Sequence, residues 1–240
     1  MAEGLVAVRD GFRWDDCDGY LFDIDGTLLH AQGGVHTDAF SSSVQFVMGH
    51  PLSIAGVPVH GSTDTGILRD AFRQAAIADE IWQPRIEEIL VRMRQTVMER
   101  RQHMSVTVMP GVLSLLDYLR GRGKVLGVAT GNLEQIGWLK IEIAGLRDYF
   151  TFGGFSDRHA VRSNLIANAQ KLAGPGVKLC VVGDTPSDIA AARANGLPTI
   201  AVATGVYSYD ELLRHDPEVC VSTLDALLLV PKANVPIPHS

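Results

Sequence analysis

Apolar residues along the chain follow two different rhythms. From about residue 107 onward, short β-rich runs alternate with stretches whose apolar positions recur every three to four residues: VLSLLDYLR, VLGVAT, LEQIGWLKIEI, SNLIANAQKL, LCVVGD, DIAAARANG and TIAVAT. That alternation predicts a parallel sheet covered by helices. The run GYLFDID at residues 19–25 has the same character and belongs with those strands. Residues 34–105 read differently, with few strand signals and three helical patterns around 37–48, 64–78 and 85–104. In the last of these, Ile86, Ile89, Leu90, Met93 and Val97 form one apolar stripe. Arg85, Arg92, Arg94, Arg100 and Arg101 lie mostly off that stripe and read as a solvated face. The expected organisation is an α/β core of residues 15–33 and 106–232, interrupted by an all-helical insertion over 34–105. Residues 1–14 and 233–240 are expected to be tails, and Gly33, Gly34 and the stretch before Pro110 and Gly111 to be hinges.

Composition narrows the partners. At 240 residues and 46% hydrophobic content, a substantial core is affordable. A formal charge of -6 counts against nucleic acid or an anionic membrane as the main partner, because such binding rests on basic excess. Cys17, Cys180 and Cys220 are far apart with no CxxC pair, which suggests neither a disulfide framework nor a zinc knuckle. The first residues lack a basic start followed by an apolar segment, and no run approaches the roughly 18 apolar residues of a membrane span. A cytoplasmic location is the expectation.

Candidate chemistry begins where the strand LFDID ends in Asp23 and Asp25. Residues i and i+2 of a strand share a face, so the two carboxylates point the same way while Ile24 turns into the core. At about 5 Å and an effective dielectric near 20 they repel by roughly 3 kcal/mol, which calls for a compensating cation. A second run, KVLGVA, ends in Thr130, Gly131 and Asn132 just before a helical pattern, an arrangement suited to an anion. A third, KLCVVG, ends in Asp184, followed by Thr185, Pro186 and Asp188. Each feature also has a local explanation. The doublet could be turn chemistry, Thr130 a helix cap, and Thr185 to Asp188 a capping box with proline at the first helical position. Yet all three fall at carboxyl ends of strands, where open parallel sheets do their chemistry.

Together, LFDIDGTLL, VATGN and VVGDTPSDIAAARANG resemble the haloacid dehalogenase superfamily, specifically its phosphatases with a helical cap inserted after the first motif. The likeness runs from about Gly19 to Ala226, and GSTDTGILRDAF is similar to phosphoglycolate phosphatase-like members. The resemblance implies a Rossmann-like three-layer core with residues 34–105 as a lid. It implies an Mg2+-dependent phosphatase acting on a small phosphorylated metabolite, with Asp23 as nucleophile and Asp25 as acid and base, the latter needing a raised pKa. The ion would be held by Asp23, the backbone carbonyl of Asp25, and Asp184, with Asp188 assisting. Thr130, the amides near Gly131 and Asn132, and a basic residue would surround the phosphoryl oxygens. The family's usual lysine is missing from its place, since none stands between Lys140 and Lys171. Arg162 is expected to substitute, with Arg158 as rival. In the insertion, His60, Ser62, Thr63 and Asp64 either face the substrate or form a capped helix start. His36, His50, His103 and His159 are expected to be ordinary surface or loop residues. A phosphomutase needs the same motifs, and a signalling phospho-acceptor or a non-catalytic binding protein are the alternatives from other classes.

Overall fold

The computed structural model of the chain describes residues 4–230. In order, the chain forms β1 (Val6–Val8), β2 (Gly19–Phe22), β3 (Leu29–Gln32), α1 (Val35–Met48), α2 (Asp64–Gln74), α3 (Asp79–Trp82), α4 (Ile86–Glu99) and β4 (Ser105–Val108). It continues through α5 (Val112–Gly121), β5 (Val125–Ala129), α6 (Glu134–Ile143), β6 (Phe152–Gly154), α7 (Arg162–Ala173), β7 (Leu179–Gly183) and α8 (Pro186–Ala194). It ends with β8 (Thr199–Val202), α9 (Tyr209–Leu213), β9 (Val219–Val221) and α10 (Leu224–Leu228).

Among the described residues, seven strands build one sheet in the order β1-β9-β8-β7-β2-β5-β6. All neighbours pair in parallel except β1, which runs antiparallel to β9. Strand β2 is central and fully buried, which explains its continuous apolar run. Its side chains alternate between two packed layers: Tyr20 and Phe22 join Leu115, Leu119 and Leu224 on one face, whereas Leu21 joins Leu165, Ile166 and Ala192 on the other. The α/β expectation with helices on both faces of a mostly parallel sheet is met. Among the described residues, no helix is long and apolar enough to cross a membrane.

Part of the expected tail over residues 1–14 packs onto the core. Val6 and Val8 register against Val221 and Val219, and Trp14 is buried beneath the sheet, accepting a hydrogen bond from the Tyr20 hydroxyl at its carbonyl. A three-residue strand is too short for its pattern to stand out. The stretch 233–240 lies outside the described residues.

Helices α1 to α4 share a hydrophobic cluster that includes Phe40, Leu68, Phe72, Trp82, Leu90 and Met93, with Phe72 and Trp82 stacked at 5.0 Å. The α4 stripe is largely buried as its spacing requires, while Arg85 and Arg92 pair with Glu88 and Glu99 nearer solvent. The same cluster takes in Leu133, Ile136 and Leu139 beside and along α6, so the insertion rests on the core. It is carried on an antiparallel ribbon, β3 against β4, that the sequence rhythm does not announce. Gly33 sits at the end of this ribbon with φ of 90°, where a side chain would strike the His103 carbonyl.

Candidate active site

The sheet's order turns at β2, and the carboxyl ends of β2, β5 and β7 open on one side. One cavity of about 1180 Å³ there is lined by Asp23, Asp25, Thr130, Gly131, Asn132, Arg162 and Asp184, and also by Lys140. Asp188 stands immediately behind it.

Asp23 continues β2, its backbone N–H donating to Val182 O, which fixes the carboxylate against β7. Carboxylate oxygens of Asp23, Asp184 and Asp188 lie within 4.8 Å of one another, and all three residues are buried. Burial pushes the Asp184 carboxyl up to about 8, and the charges of Asp23 and Asp188 add to this, while Thr27 and Arg162 oppose it. Asp23 is pushed up to about 6, first by burial, with Arg162 pulling down and Asp188 and Asp25 pushing up. Arg162 Nη2 lies 2.9 Å from Asp23 Oδ1 and 2.7 Å from Asp188 Oδ1, and its Nε donates to Asp188 Oδ1. A single guanidinium among three carboxylates leaves net negative charge in a buried, all-oxygen donor set. Such a set suits a hard divalent cation, and Asp23, Asp184 and Asp188 could hold one. Glycines make room for it: a side chain at Gly26 or Gly205 would collide with the Asp184 carboxylate.

Of the two arginines considered, Arg162 is the buried one that reaches the carboxylates, whereas Arg158 is exposed. Asp188 also completes the capping box of α8, accepting from Thr185 N at 3.1 Å and Thr185 Oγ1 at 2.7 Å. Helix capping and membership of the carboxylate cluster are thus combined in one residue.

Asp25 faces a different environment. Its Oδ2 accepts from Lys140 Nζ at 2.7 Å and Asn132 Nδ2 at 2.8 Å. Burial disfavours the ion, but the charge and hydrogen bond of Lys140, with that of Asn132, outweigh it and hold the carboxyl below its ordinary value. The raised pKa expected for an acid at this position is therefore absent, and the physical reason is Lys140. Sequence reasoning passed over this residue because it sits in α6, before the place where a lysine was sought. The available signal was a lysine flanked by Leu139 and Ile141; in the fold only 3% of it is exposed.

Lys140 Nζ also donates to Asn132 Oδ1 at 2.7 Å and lies 3.2 Å from His36 Nδ1. An ammonium has only donors, so Nδ1 accepts and His36 Nε2 carries the proton toward Asp64 Oδ2, 3.0 Å away. The expectation that His36 is an ordinary surface residue fails, because α1 brings it between the core lysine and an acid of α2. Asp64 Oδ2 additionally accepts from Leu133 N at 2.8 Å, and its own N–H donates to Gly131 O at 2.7 Å. Thr63 caps α2 by accepting from Gly66 N, which fits the capped-start reading of that stretch, while His60, Ser62 and Asp64 line the cavity.

Thr130 does not cap α6. Its Oγ1 accepts from Asn132 N and Asn132 Nδ2, and the residue lines the cavity. The amino end of α6 is served by two carboxylates instead, Asp64 at Leu133 N and Asp157 at Glu134 N, the latter at 2.6 Å. Asn132 is occupied by Asp25, Thr130 and Lys140, so its side chain orients those groups. Gly131 packs directly beneath Ser62 O, where no side chain would fit.

An open parallel sheet with a buried carboxylate cluster at its carboxyl edge and helices packed over it places a candidate cation and ligand site where open α/β sheets bind theirs. Residues 17–196 match the family described as "Hydrolase: haloacid dehalogenase-like hydrolase". The chain belongs to that family. It is 26% identical over 223 residues to a probable phosphatase IndB of Dickeya dadantii, covering 87% of this chain and 90% of the other. It is 30% identical over 196 residues to a phosphoglycolate phosphatase of Rhodospirillum rubrum, covering 77% and 79%. Its fold is similar to that of a predicted phosphatase from Clostridium acetobutylicum, with a TM-score of 0.60 at 21% identity over 84% of this chain and 92% of that one.

Proposed function

We propose that the protein is an Mg2+-dependent phosphatase that hydrolyses a small-molecule phosphate monoester through a phosphoryl group carried transiently on Asp23. The observation that carries this reading is the convergence of Asp23, Asp184 and Asp188 within 4.8 Å beside Arg162 and Thr130. The phosphatase names of the relatives support it.

Mg2+ held by Asp23, the Asp25 carbonyl and Asp184, with Asp188 assisting, would supply positive charge to the carboxylates and the phosphoryl oxygens. Arg162 favours the ionised form of Asp23, which a nucleophile requires. An Asp23 oxygen attacks phosphorus as the ester oxygen leaves, so that one hard displacement becomes two easier ones. Thr130 Oγ1–H and the Gly131 and Asn132 backbone surround the non-reacting oxygens, where charge must be tolerated in the transition state. Arg162, already bound to Asp188, orients the nucleophile and meets the same oxygens with its second amino group.

Asp25 is ionised in the resting site, which fits its role as base toward the water that hydrolyses phosphoryl-Asp23. As acid in the first half-reaction it needs a proton, and an arriving phosphate raises its proton affinity by placing like charge alongside. Lys140 and Asn132 hold its carboxylate in position throughout. The helical insertion, latched through Asp64, restricts bulk water.

Phosphate release from a panel of monoesters, measured with and without Mg2+, tests the reading. Mg2+-dependent turnover that falls at least ~10²-fold in Asp23→Asn is expected. Equal turnover in Asp23→Asn would remove the nucleophile.

A further inference from the structure

The cavity extends well past the phosphate end of the site. Beyond the carboxylates it runs under the insertion, against Val35, Phe40, Leu52, Ile54, Val57 and Ile67. Its volume of about 1180 Å³ is somewhat above the ~300–1,000 Å³ typical of sites for drug-sized ligands. The space does not come from a detached lid. The insertion is fastened to the core by Asp64 N to Gly131 O at 2.7 Å, Thr63 Oγ1 to Ala160 O at 2.9 Å and Arg94 Nη1 to Asp157 Oδ1 at 2.9 Å.

Charge on the wall is one-sided. Asp64 joins Asp23, Asp25 and Asp184, and Asp38 stands at the wall paired with Arg100 at 3.0 Å; among the lining residues the fixed cations are Lys140 and Arg162. Both are already held by carboxylates at the phosphate end. The other basic groups on the wall are imidazoles, and His36 is taken up between Lys140 and Asp64. A carboxylate on the substrate, beyond its phosphate, would lose water, find no unpaired fixed cation among the lining residues and face Asp64. An apolar group there is favoured by about fourfold for each methylene buried.

We propose that this site takes the monophosphate of a bulky, uncharged and largely apolar alcohol, in preference to a small ester with a second anionic group such as phosphoglycolate. The proposal rests on the phosphatase reading and specifies its substrate class.

The test compares phenethyl phosphate, ethyl phosphate and phosphoglycolate, all primary alkyl esters, so that leaving-group chemistry does not decide the ranking. kcat/KM is measured on the wild type with Mg2+, and Kd by calorimetry on Asp23→Asn, which reads preference without turnover. Phenethyl phosphate is expected to exceed both others at least ~10-fold on both measures, because the ring adds several buried carbons. Ile54→Asp, a half-buried position on the apolar wall, is expected to narrow that ratio. Asp23-dependent hydrolysis that favours phosphoglycolate, or treats all three alike, overturns the substrate class and leaves the phosphatase reading intact. If wild type hydrolyses none of the three, the Kd ratio still decides: phenethyl phosphate bound no tighter than phosphoglycolate overturns the proposal.

Discussion

Lys140→Met tests the electrostatics of the site most sharply. The ammonium lies 2.7 Å from Asp25 Oδ2, and two unit charges at that distance attract by ~1.5 kcal/mol in water and ~6 kcal/mol at an effective dielectric of ~20. The Asp25 side chain is 42% exposed, so solvent screening keeps the interaction toward the lower end, about 1.5 to 3 kcal/mol. Removing the lysine is therefore expected to raise the pH at which Asp25 titrates. Because Lys140 depresses this carboxyl, its stabilisation is present above the ordinary carboxyl range and lost as pH falls through the lowered value. Methionine reduces that acid-side dependence, leaving the part that Asn132 supplies. The assay is the carboxyl carbon resonance of Asp25, assigned with Asp25→Asn and followed against pH in both proteins. The acidic limb of kcat under saturating Mg2+ provides the functional counterpart, with Tm as a check on folding. An Asp25 resonance that titrates at the same pH in both proteins would refute the assignment of Lys140 as the group that keeps Asp25 ionised.

Mg2+ affinity is expected to weaken as pH falls from about 8 to about 6, since Asp184 and Asp23 take up protons over that window and a bound cation must displace them; calorimetry at several pH values reads this. For the same reason the metal-free protein binds more protons folded than unfolded and loses stability as pH rises from the ordinary carboxyl range toward 8. Asp184→Asn is therefore expected to raise the metal-free Tm at pH 8 by at least ~2 °C and to abolish the Mg2+-induced rise. Arg162→Ala leaves Asp23 and Asp188 buried without their cation, and a loss of ~3–5 kcal/mol by urea denaturation of the metal-free protein is expected. Asp64→Ala strips partners from His36 Nε2 and Leu133 N, with an expected cost of ~1–3 kcal/mol in the same assay.

The α/β core was legible because buried parallel strands show as continuous apolar runs, and β2, β5, β7 and β8 are nearly all buried. The helical insertion was legible because α4 keeps one face dry over several turns. Strands β1, β3 and β4 were not, being three or four residues long and partly exposed. At the site, Asp23, Thr130 and Asp184 could be inferred to meet because each follows a strand that ends at the same edge. Lys140 and His36 follow no such rule. His36 at the start of α1 and Lys140 on α6 meet through their side chains alone, and only tertiary contact brings a helix lysine to the acid of a distant strand. The lowered Asp25 value has the same origin, because the doublet by itself argues for repulsion and a raised pKa.

Rapid acid quench during turnover of a hydrolysable ester, followed by peptide mass spectrometry, measures the central claim directly. A phosphoryl group on the peptide carrying Asp23, formed within the first turnover and absent from Asp23→Asn, is the expected result. Steady turnover with no protein-bound phosphoryl group, or with one on a different residue, would contradict it.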